Sequence, residues 1–197
     1  MKPFVAISGT SRPDNYTAHA LAIVVKAMRD EGADVRVFDA REMTLPFPGQ
    51  EATADSAALL EVVSESQGVV IATPEYHGSY AAMTKLIIEN LGFPSVLKGR
   101  PVALVGVAAG RIGAIKSIEQ LRATCAHTGA VVMPGAVSVA GVRSVFEADG
   151  TCTDPAIDEA LAGLGSSLLE YVKDFVCPRH ALEAMVREGG APWHTTV

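Results

Sequence analysis

Residues 68–80 read GVVIATPEYHGSY, an apolar run followed by a polar loop. The side chains at 69–72 are all apolar, and such a run is typical of a strand covered on both faces, as in a parallel sheet. Pro74 ends the predicted strand, because proline cannot donate a hydrogen bond to a neighbouring strand. We therefore predict a buried strand at residues 68–73 and, at its carboxyl end, an exposed loop with an aromatic, an imidazole and a glycine.

The same alternation of apolar runs and helical spacing extends along the chain. Four further strands are predicted at residues 4–7, 35–38, 101–107 and 130–133. Helices are predicted at roughly 18–28, 56–64, 79–91, 115–125 and 155–175. Alternating strands and helices indicate an α/β doubly wound parallel sheet in three α/β/α layers, and five strands favour the flavodoxin-like order 2-1-3-4-5. We assign residues 1–176 to this domain and interpret 177–197 as a tail or subunit-contact arm.

Composition excludes several classes of protein. The chain has 197 residues, of which 49% are hydrophobic, and a net charge of −6, so it lacks the basic face that a nucleic-acid partner requires. Three cysteines without C-x-x-C spacing suggest free thiols in a reducing compartment. No signal-peptide pattern and no membrane-spanning apolar run occurs, so we expect a cytoplasmic protein without a membrane partner. No H-E-x-x-H or paired His/Cys set predicts a metal site.

In a doubly wound sheet, ligands bind beyond the carboxyl ends of the strands, so the loops there are the candidate site. The first loop, residues 8–17, reads SGTSRPDNYT and leads into a helix. A helix N-terminus favours anions, and a phosphate cradle is completed by the side chains of Thr10, Ser11, Arg12, Asn15 and Thr17. An ordinary helix start, with Thr17 or Asn15 as N-cap, is the alternative. The spacing matches neither G-x-x-x-x-G-K-[ST] nor G-x-G-x-x-G.

The second loop, residues 74–80, and the third loop, residues 106–113, offer space for a ring system. A flat heteroaromatic ligand fits against the second loop, where Gly78 permits close approach. The third loop reads GVAAGRIG, and its Arg111 is placed to meet an anionic group. Structural alternatives remain: His77 as a turn residue, Tyr76 as a packing residue, Glu75 as a solvated carboxylate, and the glycines as simple turns.

Taken together, the three loops resemble those of the NADPH-dependent FMN reductases, flavodoxin-like enzymes that include azo, quinone and chromate reductases. The match runs from about residue 4 to 140, and the second loop is its specific part. After that loop the family continues with glycine and then leucine-lysine-asparagine, whereas residues 82–86 read AMTKL. The resemblance implies that the FMN phosphate is held by Thr10, Arg12, Asn15, Tyr16 and Thr17. It places Pro74, Glu75, Tyr76, His77 and Gly78 around the isoalloxazine, with Ala109, Gly110 and Arg111 along its edge.

The resemblance also implies an activity. Hydride passes from NADPH or NADH to FMN and on to a quinone, azo compound, flavin or metal oxyanion by a ping-pong scheme that needs no protein acid or nucleophile. Homodimers or homotetramers are expected from the family. An FMN-binding electron carrier without its own substrate is the alternative, since it shares the fold. A phosphoacceptor signalling domain is disfavoured, because Ser8 and Thr73 stand where it needs carboxylates.

Overall fold

The computed structural model describes residues 2–187 and contains one mainly parallel sheet. Its strands are β1 (Phe4–Ser8), β2 (Val35–Asp39), β3 (Val69–Tyr76), β4 (Ser79–Tyr80), β5 (Pro101–Val107), β6 (Val131–Val132) and β7 (Val137–Val139). The order β2-β1-β3-β5-β6 is parallel throughout, β7 pairs with β5, and β4 pairs antiparallel with β3. Since β5 and β6 are the fourth and fifth parallel strands, the predicted order is confirmed.

Helices cover both faces of the sheet. They are α1 (Tyr16–Asp30), α2 (Ala54–Glu65), α3 (Ala82–Glu89), α4 (Ile115–His127), α5 (Pro155–Tyr171) and α6 (Cys177–Arg187). Alternate residues of β1 point to opposite sides: Ala6 packs in one buried cluster with side chains of α1 and α5, and Ile7 in another with side chains of α2, α3 and α4. The three predicted layers follow from this alternation.

Polar side chains determine where three helices begin. Asn15 precedes α1 and its Oδ1 accepts a hydrogen bond from Ala18 N at 2.8 Å, so Asn15, not Thr17, is the N-cap. Thr53 and Ser56 form a reciprocal capping box at α2. Asp154 caps α5 in front of a proline at its first position, as predicted.

The predicted helix at 79–91 was wrong at its start. Ser79 and Tyr80 form β4, a short strand that returns antiparallel along β3, and α3 begins only at Ala82. The turn between the strands is His77-Gly78, with φ of +51° and +74°. Positive φ at both central residues is the requirement of the two-residue type I′ hairpin turn, which matches the twist of the flanking strands.

The fifth predicted strand, at 130–133, was also incomplete. Pairing with β5 begins at β6, is interrupted near Gly135 (φ +73°), and resumes at β7, which pairs with residues 105–107 of β5. The interruption follows from Pro134, which cannot donate to the ladder. As a result, β7 carries the chain to the same sheet edge as the three predicted loops.

The last helix extends further than expected. After α5 comes a wider, π-helical turn, Val172–Val176, and the chain then continues directly into α6. No residue of α6 is buried. The predicted domain boundary at residue 176 falls at the end of the wide turn, and residues 188–197 of the predicted tail lie outside the described residues. Within residues 2–187, no helix is both long and apolar enough to span a membrane.

Candidate functional site

A cleft of about 210 Å³ opens at the carboxyl edge of the sheet, where the loops after β1, β3 and β5 meet. The sequence-predicted residues that line it are Arg12, Asn15, Tyr16, Thr17, Pro74, Glu75, Tyr76 and Ala109. Its remaining lining residues are Asp14, Val107, Ala108, Val142 and Arg143. Six predicted residues do not line the cleft: Thr10, Ser11, His77, Gly78, Gly110 and Arg111. All three loops therefore contribute to one site, but not with every expected side chain.

The first loop is shaped by its own side chains. Asn15 Nδ2 donates to Arg12 O at 2.8 Å while Asn15 Oδ1 caps α1, so this amide is engaged at both ends. Thr10 is buried, and its Oγ1 accepts a hydrogen bond from Arg12 N at 3.3 Å. The N–H groups of Tyr16 and Thr17 belong to the first helical turn and have no intrahelical partner. Because Tyr16 and Thr17 line the cleft, the space in front of the start of α1 favours anions.

A buried polar contact fixes the first loop against α3. Thr84 Oγ1 donates to Gly9 O at 2.8 Å and lies 2.9 Å from Thr73 Oγ1, which in turn accepts from Ala81 N at 3.1 Å. A Cβ on Gly9 would lie 2.2 Å from Thr84 Oγ1, so only glycine fits there. The threonine lies in the AMTKL segment, where the sequence departs from its family, and joins the first loop to the second.

The second loop is a stiff hairpin docked on α4. Gln120 Nε2 donates to Gly78 O at 2.9 Å, Ser79 Oγ donates to Gln120 Oε1 at 2.7 Å, and the Tyr80 hydroxyl lies 3.0 Å from Thr124 Oγ1. Pro74 leads into the hairpin at the cleft, and Tyr76 remains 40% exposed beside it. The exposed ring of Tyr76 therefore has room to contact a ligand.

Glu75, at the start of the hairpin, caps the N-terminus of α4. Its Oε2 accepts a hydrogen bond from Ser117 N at 3.1 Å, in the first turn of α4. Ala114, the residue before α4, has no side chain that can cap the helix. Glu75 thus supplies the acceptor that the helix lacks, and its negative charge lies at the positive end of the helix dipole. It is not a freely solvated carboxylate.

Small residues of the third loop let the chain pass close to α4. A Cβ on Gly106 would lie 2.7 Å from the Ala114 side chain, and Gly113 has φ of +81° with Ser138 Oγ at 2.6 Å from an added Cβ. By contrast, nothing lies within 4 Å of a Cβ on Gly110. Ala109 and Gly110 are exposed, so the cleft is open to solvent on this side.

The 142–144 turn (Val142–Ser144), a 3₁₀ turn after β7, supplies the part of the site that sequence reasoning missed. Val142 N donates to Ala108 O at 3.1 Å and Gly141 N to Gly110 O at 3.0 Å, so the turn is fastened to the third loop. The available signal was the alternation of Val137 and Val139 before Ala-Gly, which indicates a strand reaching this edge.

The chemistry of the cleft suits a flat molecule with a phosphate group. Arg12 and Arg143 bring two positive charges, and the start of α1 brings unpaired N–H donors. Val107, Ala108 and Val142 give an apolar wall. In the part of the chain that the structure describes, no group of three or more His, Cys, Asp or Glu is placed to hold a metal ion. The residues present thus fit a phosphorylated ring system such as FMN.

Comparison with known proteins identifies the family of this chain. Residues 3–143 match the family of NADPH-dependent FMN reductases. An NADPH azoreductase of Bacillus sp. (strain OY1-2) is 28% identical over 171 residues, covering 85% of this chain and 93% of that protein. The NADPH-dependent FMN reductase ArsH of Shigella flexneri is 25% identical over 193 residues, 94% of this chain and 74% of that protein.

Solved structures show the same fold. The flavoenzyme NAD(P)H:(acceptor) oxidoreductase FerB of Paracoccus denitrificans superposes with a TM-score of 0.71 at 22% identity, covering 88% of this chain and 98% of that one. An archaeal flavodoxin superposes with a TM-score of 0.60 at 14% identity, covering 88% and 99%. The fold is therefore common to reductases and carriers, and the family match is what separates them. The chain belongs to the NADPH-dependent FMN reductase family and is a flavodoxin-like oxidoreductase that uses FMN and NAD(P)H.

Proposed function

We propose that this enzyme passes two electrons from NADPH or NADH, through FMN held in the cleft, to a quinone, azo compound, free flavin or metal oxyanion. The observation that carries the proposal is the cleft itself, in which a helix N-terminus and two arginines lie next to an open wall and an exposed tyrosine. The names of the relatives support the range of acceptors, since they include an azoreductase and a 2-hydroxy-1,4-benzoquinone reductase from a Burkholderia species.

In this reaction the protein binds FMN and the substrates and holds them in the orientation that the transfer requires. Bound FMN would supply the redox chemistry, in which a hydride is taken up from NAD(P)H and passed to an acceptor such as a quinone, with one further proton from water completing the product. The start of α1 and Arg12 hold the phosphate. The docked hairpin keeps Pro74 and Tyr76 in place at the ring system, and rigid placement reduces the entropy lost on binding. The open wall at Ala109 leaves a face for the second substrate.

The candidate cofactor-binding residues divide into three groups under this proposal. The residues that line the cleft contact FMN directly. Three others act through loop shape: Thr10 fixes the first loop, and His77 and Gly78 form the hairpin turn. Ser11, Gly110 and Arg111 lie outside the cleft lining and come into contact only with a ligand larger than the cleft, such as the nicotinamide nucleotide.

Steady-state kinetics test the proposal. The purified protein is loaded with FMN and assayed with NADPH or NADH as donor and a soluble benzoquinone as acceptor. We expect turnover, and parallel lines in double-reciprocal plots when both substrates are varied, because donor and acceptor use the same face in turn. Binding of FMN without oxidation of either nucleotide would contradict the proposal and favour an electron carrier.

We also propose that the chain is cytoplasmic and forms homodimers or homotetramers in which α6 is the contact arm. Phe175, Leu182 and Met185 are 63%, 48% and 50% exposed. Leu182 and Met185 lie three residues apart on α6, and with Phe175 of the preceding wide turn they make the apolar seam of the arm.

Sedimentation of Leu182→Asp and Met185→Asp, with Lys173→Gln as control, tests this arm. The two seam variants are expected to lower the assembly state at micromolar concentration, while the control sediments as the wild type does. A wild-type protein that sediments only as a 20.5 kDa species would contradict the assembly, and intact oligomers of both aspartate variants would exclude α6 from it.

A further inference from the structure

The distribution of arginines around the cleft differs from the one that the sequence suggested. Arg12 lines the cleft as expected, but Arg111 does not, and the second guanidinium is that of Arg143. Arg143 follows β7 in the chain, thirty residues beyond the third loop, and no motif of the sequence includes it. Backbone hydrogen bonds and aromatic packing hold this arginine at the cleft.

The backbone on both sides of Arg143 is fixed. Val142 N donates to Ala108 O at 3.1 Å, and Ser144 N donates to Gly141 O at 2.9 Å. Val142 and Val145 are buried at 4% and 7% exposure, whereas Arg143 between them is exposed. Val142 contributes to the apolar wall of the cleft and Val145 is buried behind it, so Arg143 is the charged residue of the turn that lines the cleft.

Aromatic packing places this turn beside the start of α1. The ring of Phe146 lies 6.3 Å from the ring of Tyr16 and 5.9 Å from that of His19, measured between centroids, and Tyr16 and His19 lie 6.1 Å apart. Tyr16 is the first residue of α1 and itself lines the cleft. Arg143 therefore borders the phosphate end of the cleft, where the helix dipole favours an anion.

The charges on the cleft show what Arg143 adds. Beside Arg12 the first loop carries Asp14, held at φ of +47°, whose carboxylate offsets one positive charge. Among residues 2–187, neither Arg12 nor Arg143 forms an ion pair with a carboxylate. With Arg12 and Asp14 alone, the first loop would bring no net charge to the cleft, and Glu75, the other lining carboxylate, accepts a hydrogen bond from Ser117 N at the start of α4. Arg143 adds a second positive charge for a phosphate dianion.

We propose that Arg143 is, in addition to Arg12, a second phosphate-binding arginine, and that it makes the site selective for FMN over riboflavin. The inference rests on the proposed function, because it assumes that the cleft holds FMN. It assigns to the 142–144 turn a role in cofactor selection that the resemblance in the three loops does not contain.

Binding of FMN and of riboflavin to the apoprotein, measured by quenching of flavin fluorescence, separates the phosphate contact from the ring contacts. Arg143→Gln is expected to weaken FMN roughly 10- to 100-fold, as for loss of a hydrogen bond to a charged group, and to leave riboflavin unchanged. Arg143→Lys keeps the positive charge but not the planar guanidinium, so it is expected to lose less affinity for FMN than Arg143→Gln. Arg187→Gln, at the far end of α6, serves as the control and is expected to bind both flavins as the wild type does.

Several results would overturn the inference. Unchanged FMN affinity of Arg143→Gln would do so, as would an equal loss for FMN and riboflavin, since that indicates a structural effect. An FMN-specific loss in Arg111→Gln without one in Arg143→Gln would return the role to Arg111. A raised KM for NADPH with unchanged FMN affinity would assign Arg143 to the nicotinamide nucleotide. Failure of the wild-type protein to bind FMN at all would instead overturn the proposed function.

Discussion

Replacing Gly9 by alanine is expected to push the first loop away from the cleft. The new Cβ would lie 2.2 Å from Thr84 Oγ1 and 2.9 Å from Ala72 O. Neither neighbour can move freely, because Thr84 Oγ1 is hydrogen-bonded to Gly9 O and Ala72 O accepts from Gly9 N at 2.8 Å. The clash therefore has to be relieved by the loop backbone or by rotation of a buried threonine.

The expected loss of stability follows from these contacts. Overpacking of a buried site costs about 1–3 kcal/mol, and loss of the threonine hydrogen bond about 1 kcal/mol more. For a domain of this size, 1 kcal/mol corresponds to roughly 2–4 °C in Tm, so a drop of roughly 4–16 °C is expected. Thermal unfolding of the FMN-free protein, followed by circular dichroism, measures it. Affinity for FMN should fall as well, since the displaced loop carries Arg12.

Two further variants test whether the contact between residue 9 and Thr84 causes the loss of stability. In the double variant Gly9→Ala/Thr84→Ala the nearest clash is gone, so its destabilisation should be smaller than the sum of the two single effects. Gly163→Ala is the matched control, because it lies on the exposed side of α5 with nothing within 4 Å of the added Cβ, and it should stabilise the protein by about 0.5–1 kcal/mol. A Tm of Gly9→Ala within 1 °C of the wild type, or strictly additive effects, would refute the proposed contact.

Three other predictions concern stability measured by urea denaturation. Glu75→Ala should cost about 1–2 kcal/mol and Glu75→Gln only about 0.3–1 kcal/mol, because glutamine keeps the acceptor for Ser117 N but loses the charge at the helix end; equal costs would exclude a contribution of the acceptor, and a Glu75→Gln variant as stable as the wild type would exclude the charge effect. Asp154→Ala should cost about 1 kcal/mol through loss of the α5 cap, and no change would mean that solvent replaces the cap. Burial raises the pKa of the Cys125 thiol from 9.0 to about 12, so above pH 9 the unfolded chain loses a proton that the folded protein keeps, and stability falls. Relative to Cys125→Ala, the wild type should lose roughly 1–2 kcal/mol between pH 8 and pH 10, and parallel pH curves would contradict this.

The fold was predictable where local pattern and burial coincide. Residues 69–72 and 102–105 are apolar throughout and fully buried, so the central strands and their order followed from the sequence. The hairpin at residues 76–79 was missed because residues 79–80 were assigned to the following helix, although a turn at His77 and Gly78 was among the alternatives. The strand β7 was missed because Pro134 interrupts the ladder before it.

The candidate site was predictable as far as the three loops, since parallel strands bring their carboxyl ends to one edge. The contribution of Arg143 depends on tertiary contacts of Phe146 with Tyr16, which no local pattern contains. The engagement of Asn15 and Glu75 in helix capping also depends on the folded geometry, because either side chain is equally suited to bind a ligand. Sequence thus located the site, and the structure distinguished the residues that line it from those that shape it.

Anaerobic titration of the FMN-loaded protein with NADPH, followed by a quinone, tests the reductase function most directly. We expect the yellow flavin absorbance to disappear with one equivalent of NADPH per bound FMN and to return in full when one equivalent of quinone is added. Flavin that stays oxidised in the presence of excess NADPH and excess NADH would contradict the reductase function and leave the chain as an FMN-binding electron carrier.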